Sequence, residues 1–100
     1  MRFSWDPVKS DANLLRRGFD FAYAALIFAG WTVDREDTRR DYGERRLTAI
    51  GLANGVALTV CYTDRPSADG EIERRIITAW RSNRRERKTY RESLEGRRTP

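Results

Sequence analysis

The dipeptide Asn54-Gly55 lies between two apolar runs, residues 46–53 and 56–63. A two-residue hairpin loop needs φ > 0 at both positions, and Asn-Gly meets that need at least steric cost. The turn pairs Ala53 with Val56 and so fixes the register of an antiparallel hairpin. Leu47, Ala49, Gly51, Leu58, Val60 and Tyr62 then share one face. Arg46, Thr48, Ile50, Leu52, Thr59 and Cys61 share the other, a mixed face that calls for partial cover.

The rest of the chain arranges itself around this hairpin. Residues 64–70 hold Pro and Gly and form a loop back. Residues 71–81 are β-branched in the middle and form a third linked strand. Strict alternation puts Arg75, Ile77, Ala79 and Arg81 on one face. It puts Ile72, Arg74, Ile76, Thr78 and Trp80 on the other, and the pattern leaves open which face is core. Asn83 and Glu86 have capping-box spacing, so a helix begins near Arg84. Arg84, Arg87, Lys88 and Arg91 form its cationic stripe, and Tyr90 with Leu94 docks it. After Gly96, residues 97–100 read as a frayed tail.

Toward the N-terminus, residues 2–5 alternate as a short strand with Phe3 and Trp5 on one face. Asp6-Pro7 starts a helix, Asp as N-cap and Pro where no donor is needed. Val8, Ala12 and Leu15 form its apolar stripe, with Lys9, Asn13 and Arg16 on another face. Gly18 ends it. Asp20 caps a second helix over residues 21–28. Residues 32–42 form a polar loop after a short strand at 31–34. These elements predict one α+β domain over residues 1–96: a small antiparallel sheet, two N-terminal helices and a basic C-terminal helix.

Charge is unevenly placed. Residues 1–80 carry 12 Lys/Arg and 12 Asp/Glu, whereas residues 81–100 carry 8 and 3, so the whole net charge of +5 falls at the C-terminal end. Such a field either draws polyanions, nucleic acid foremost, or simply solvates a helix. The chain has no histidine and one cysteine. A His-based zinc site, a Ser-His-Asp triad and a Cys-His pair are therefore ruled out. No metal site and no cofactor is expected. The longest apolar run, residues 21–30, is too short for a membrane span, and residues 1–9 lack the apolar core of a signal peptide. A lone cysteine in a predicted strand fits a reducing cytoplasm.

Several stretches, in order, resemble one family. Phe3-Ser4-Trp5-Asp6-Pro7-Val8-Lys9 is similar to an F-x-W-D-x-x-K opening. Asn13 to Gly18 resembles N-x-x-K-H-G, and Phe21 to Phe28 resembles F-x-x-A-x-x-x-F. Asp41-Tyr42-Gly43-Glu44-Arg45-Arg46 with Ile50-Gly51 resembles D-x-G-E-x-R-x-x-x-I-G. Val60 to Thr63 fits V-x-Y-T, Arg75 to Ala79 fits R-I-I-S-A, and Arg84 to Tyr90 fits R-R-E-R-x-x-Y. This is the BrnT pattern, that of toxins from type II toxin–antitoxin systems. The resemblance implies a RelE-like fold and a metal-independent endoribonuclease that cleaves RNA and inhibits translation. It also implies a BrnA-like antitoxin in a hetero-oligomer, with DNA reached only through that antitoxin. Two positions depart: Arg17 stands where the family commonly has His, and Trp80 where it commonly has Arg. A second reading therefore stands beside the first, a weakened or inactive homologue that binds antitoxin or RNA.

Cleavage by a 2′-OH requires a base, stabilisation of the pentavalent phosphate and an acid for the leaving oxygen. Arginine suits the second task. The expected catalytic set is Arg46, Arg75, Arg85, Glu44 as base and Tyr90 as acid. Glu44 also reads as an ion-pair partner of Arg46, and Tyr90 as the helix dock. The expected RNA contacts are Lys9, Trp80, Arg81, Arg84, Arg87, Lys88 and Arg91, with the antitoxin shielding the same cationic segment.

Overall fold

The computed structural model describes residues 1–98. In chain order these form β1 (Arg2–Trp5), α1 (Pro7–Arg17), α2 (Phe21–Ala24), a 3₁₀ segment (Ala25–Ala29), β2 (Val33–Glu36), β3 (Leu47–Ala53), β4 (Val56–Pro66), β5 (Ile72–Arg81) and α3 (Arg84–Arg98). The five strands make one sheet in the order β1-β5-β4-β3-β2.

The hairpin forms as its turn chemistry dictates. Asn54 has φ 49° and Gly55 φ 80°, and Ala53 pairs with Val56 through to Leu47 with Tyr62. The sheet, however, is mixed rather than antiparallel. β1 runs parallel to β5, Arg2 opposite Glu73 through Trp5 opposite Ile76. A strand followed directly by a helix at Asp6 leaves that edge free to join β5 in the same direction.

One face of the sheet meets α1, α2 and the 3₁₀ segment. Phe19, Phe21, Ala24, Ile27, Leu58, Val60, Tyr62 and Ile76 fill the space between them. α3 covers part of the other face, where Ile50 and Thr59 are buried. Tyr90 is buried there too, and its hydroxyl donates to the Trp31 carbonyl at 3.3 Å. The second N-terminal helix is shorter than predicted: regular α-helix ends at Ala24, and residues 25–29 tighten to 3₁₀. α3 is longer than predicted and continues through Gly96 to Arg98, with the Arg97 guanidinium 4.6 Å above the Trp31 ring. Residues 99–100 of the expected tail lie outside the described residues.

α1 reverses its predicted orientation. Val8 is 76% exposed and Leu15 88%, while Ser10 and Asn13 are buried. The caps are as expected, with Asp6 accepting from the Val8 N–H and Gly18 at φ 85°. Hydrogen bonding decides which face turns inward. Ser10 Oγ accepts from the Phe21 N–H at 3.0 Å, and Asn13 Nδ2 donates to the Phe19 carbonyl at 2.9 Å. Arg17 donates to Asn13 Oδ1 at 2.9 Å and to the Ala79 carbonyl at 3.0 Å. That carbonyl lies on β5 beyond the last residue paired with β1, so the side chain supplies a donor that no strand offers. Buried backbone groups left without partners cost more than apolar side chains left wet.

Candidate nucleic-acid interface

A β-bulge on β5 builds the site. Cys61 pairs with Thr78, but Tyr62 pairs with Ile76, so Ile77 is an extra residue in the ladder. Alternation is reset there. Thr59, Cys61 and Thr63 share a face of β4, and their partners Trp80, Thr78 and Arg75 therefore share it too. Simple alternation had separated Arg75 from Trp80. The same bulge sends Arg81, opposite Leu58, to the α1–α2 face.

Arg75 enters a cleft of about 110 Å³ lined also by Asp6, Lys9, Glu44, Arg46, Arg65 and Ile77. Four elements supply it: the start of α1, the end of the β2–β3 loop, and the paired strands β4 and β5. The loop is fixed from within. The buried Asp37 carboxylate takes two bonds from the Arg39 guanidinium, at 2.9 and 2.8 Å, and one from the Tyr42 hydroxyl at 3.2 Å. The Asp37 N–H donates to the Arg46 carbonyl at 2.7 Å, and Arg46 lies 4.1 Å over the Tyr42 ring. Thr63 Oγ1 donates to the Arg45 carbonyl at 2.7 Å and pins the loop to β4.

Glu44 bridges two cations, Arg46 Nε at 3.1 Å and Arg65 at 3.2 Å. Arg46, and then Arg65, hold its carboxyl below the ordinary range against the opposing effect of burial. An ionised carboxylate held this way is a poor proton acceptor at neutral pH and a good positioner of guanidinium groups. Arg75 is half-buried, Lys9 exposed, and neither has a hydrogen-bond or ion-pair partner among the described residues. Four cations face two carboxylates here, and Asp6 is already engaged as the helix cap. The cleft therefore favours an anion with several acceptor oxygens, such as a phosphodiester. Lys9 and Ile77 also line a second hollow with Arg16 and Arg17, so positive charge continues along α1.

The structure thus brings Arg46, Arg75, Glu44 and Lys9 together. It adds Arg65, which sequence reasoning missed; its one signal is its place two residues beyond Thr63, on the same strand face. Arg85 lies apart, in a hollow with Thr48, Ile50 and Thr89. Tyr90 faces the Trp31 backbone, away from the cleft. Trp80 is half-buried, and its indole N–H donates to both Glu86 oxygens at 3.2 and 3.3 Å. It does not share a face with Ile76, so it is not part of the main core. Glu86 also receives the Asn83 N–H at 2.8 Å and completes the capping box. Arg84, Arg85, Arg87, Lys88 and Arg91 are exposed on α3; Arg87 donates to the Ser82 carbonyl at 2.7 Å and Lys88 pairs with Glu92 at 3.8 Å. Arg81 opens onto the opposite face, beside Leu14 and Tyr23.

Burial pushes the Cys61 thiol up, so it is a packing residue rather than a reactive one. Among the described residues no three Cys, Asp or Glu side chains converge as metal ligands would, and no helix is long and apolar enough to cross a membrane.

The loop support has a pH signature. The Arg39 hydrogen bonds lower the Asp37 carboxyl from 3.8 to about 2. A depressed carboxyl stabilises the fold above its ordinary value and loses that contribution as pH falls. Stability should drop between pH of about 4 and about 2, by roughly 1 kcal/mol once solvent screening of Arg39 is allowed for. Asp37→Asn should flatten the dependence in that window, as read from urea midpoints across it. An unchanged slope would show that Asp37 is not the group responsible.

The model of a family described as "Ribonuclease toxin, BrnT, of type II toxin-antitoxin system" matches residues 5–86. No curated protein matches the chain. Every residue lining the cationic cleft falls inside the matched span, whereas Arg87, Lys88 and Arg91 of α3 fall outside it. With most of its length matched, and with a phosphate-sized cationic cleft inside that length, the chain belongs to the BrnT family of ribonuclease toxins of type II toxin–antitoxin systems.

Proposed function

We propose that this chain is a cytoplasmic endoribonuclease of RelE-like fold that cleaves RNA without a metal ion and inhibits translation. A BrnA-like antitoxin neutralises it within a hetero-oligomer and gives that complex its contact with DNA. The observation that supports this reading is Arg75, a half-buried cation whose side chain has no partner among the described residues, beside Lys9, Arg46 and Arg65. In the proposed mechanism Arg75 receives the scissile phosphate. Arg46 and Arg65, aligned by Glu44, stabilise the charge that grows on its oxygens. Lys9 reaches the next phosphate along α1. Cations held in place by a carboxylate, as Arg46 and Arg65 are by Glu44, act most strongly where charge develops, so the arrangement suits a pentavalent phosphate better than a ground-state one.

A reduced rate is the second reading, and Trp80 favours it. Its indole is tied to Glu86, away from the cleft residues, and offers no charge to a phosphate. Purified chain incubated with single-stranded RNA in excess EDTA should yield cleavage products. Intact RNA in EDTA, with cleavage restored by a divalent ion, would overturn the metal-independent mechanism. Intact RNA under both conditions, with binding retained, would favour the inactive homologue.

A further inference from the structure

The sheet face that α3 only partly covers holds a hollow of about 270 Å³ beside the phosphate cleft. Trp80, Glu86, Thr48 and Arg35 line it, and residues 36–39 close one side. Sheet pairing places it. Thr48 lies opposite Cys61, and Cys61 opposite Thr78. On that face Arg75 stands one row to one side, opposite Thr63, and Trp80 one row to the other, opposite Thr59. Thr59 to Thr63 spans about 13 Å of strand at about 3.3 Å per residue, so a base close to a phosphate at Arg75 can reach the hollow. Glu86 engages the Trp80 N–H, so what the indole offers the hollow is ring surface.

We infer that this hollow is a subsite for one unpaired RNA base, which stacks on Trp80 and is read at its edge by Glu86 and Thr48. The inference rests on the ribonuclease reading and extends it from the phosphate to a base beside it. Charge argues against a second phosphate here. Arg35 and Arg39 stand against Glu36, Asp37 and Glu86, and Asp37 already holds Arg39. The charged and hydroxyl groups of the rim argue equally against an apolar protein anchor, which would strip their water without replacing it. A base meets both conditions, with an uncharged flat ring and a polar edge. Glu86 accepts from the Asn83 N–H and from the indole, and a carboxylate has lone pairs for further donors. The Thr48 hydroxyl has no hydrogen-bond partner among the described residues. Acceptors at that edge favour a base with an exocyclic amino group, guanine, adenine or cytosine, over uracil. Arg35, Thr48 and Glu86 also line the adjoining hollow that holds Arg85, so a strand leaving the subsite meets a further cation.

The test measures binding of the folded chain to short single strands with 2′-O-methyl sugars, which cannot be cleaved. Each strand is abasic except at one residue, which carries guanine, adenine, cytosine, uracil or no base. A strand with uracil should bind about tenfold more tightly than the fully abasic one, through stacking. An amino-bearing base should add about tenfold more, through its bond to a carboxylate. Trp80→Leu should bring every base down to the abasic level, whereas Trp80→Phe keeps their order. Arg75→Gln should weaken all strands, the abasic one included, and keep that order too. The abasic comparison needs no variant, so it decides the matter even where Trp80→Leu fails to fold. Equal affinity of the parent for strands with and without a base would overturn the subsite, as would a base preference that survives in Trp80→Leu. A preference for uracil would overturn the role given to Glu86 and Thr48. A Trp80 indole N–H resonance that ignores every strand and moves only when the antitoxin is added would assign the hollow to that protein instead. A parent chain that binds no strand and cleaves no RNA would defeat the ribonuclease reading itself, and the subsite with it.

Discussion

Arg75→Gln should slow single-turnover RNA cleavage by about 100- to 1,000-fold, the usual loss when one preorganised donor to a developing oxyanion is removed. Arg75 shares its cleft with Lys9, Arg46 and Arg65, but among the described residues Glu44 engages Arg46 and Arg65 and not Arg75. Structural arginines in this chain look different. Arg74 is held by two bonds to Asp64, at 2.8 and 2.9 Å, and lies 4.1 Å over the Tyr62 ring. Removing Arg75 therefore orphans no carboxylate among the described residues and should shift stability by no more than about 0.5 kcal/mol. The prediction is a large loss of rate in a chain that melts like its parent. Arg84→Gln, exposed on α3, is the matched control and should lose far less. Equal losses in the two variants would mean that charge in general, rather than the cleft, governs the reaction.

Gly51→Val should destabilise the chain by about 3 kcal/mol, near the upper end of typical overpacking costs. A Cβ at Gly51 would lie 2.9 Å from Ile27 Cβ and 2.9 Å from Thr32 Cγ2, and 3.3 Å from the Ile27 carbonyl oxygen. Ile27 is fully buried and belongs to the 3₁₀ segment, so relief requires that segment to move off β3. The backbone at Gly51 is an ordinary strand, so the demand for glycine comes from close approach rather than from conformation. Urea unfolding monitored by tryptophan fluorescence would measure the shift. A midpoint equal to that of the parent would contradict the packing of residues 25–29 on β3.

What the sequence revealed and concealed follows from the range of the interactions. The Asn54-Gly55 turn, the Asp6 and Asp20 caps and the Asn83–Glu86 box are satisfied within a few residues, so their residue types announce them. Long-range pairing left no such mark. The bulge at Ile77 depends on where β4 meets β5, and nothing in the run Ile76-Ile77-Thr78 distinguishes the inserted residue. Periodicity misjudged α1 because it weighs apolar side chains only. Ser10, Asn13 and Arg17 turn inward to serve backbone groups contributed by Phe19, Phe21 and Ala79. Net charge pointed toward α3, yet the most constrained cations lie in the formally neutral first 80 residues. There the carboxylates that cancel the total are used to orient arginines.

RNA phosphate is proposed to bind at Arg75, between α1 and the bulged strand. Side-chain N–H resonances of the isotope-labelled chain, titrated with a short RNA made uncleavable by a 2′-deoxy residue, test it most directly. The Arg75, Arg46 and Arg65 guanidinium signals should shift first and saturate together, with Arg84, Arg87 and Arg91 responding weakly and losing their response as salt is raised. Saturable shifts at Arg84, Arg87 and Arg91, with the Arg75 signal unmoved, would contradict it.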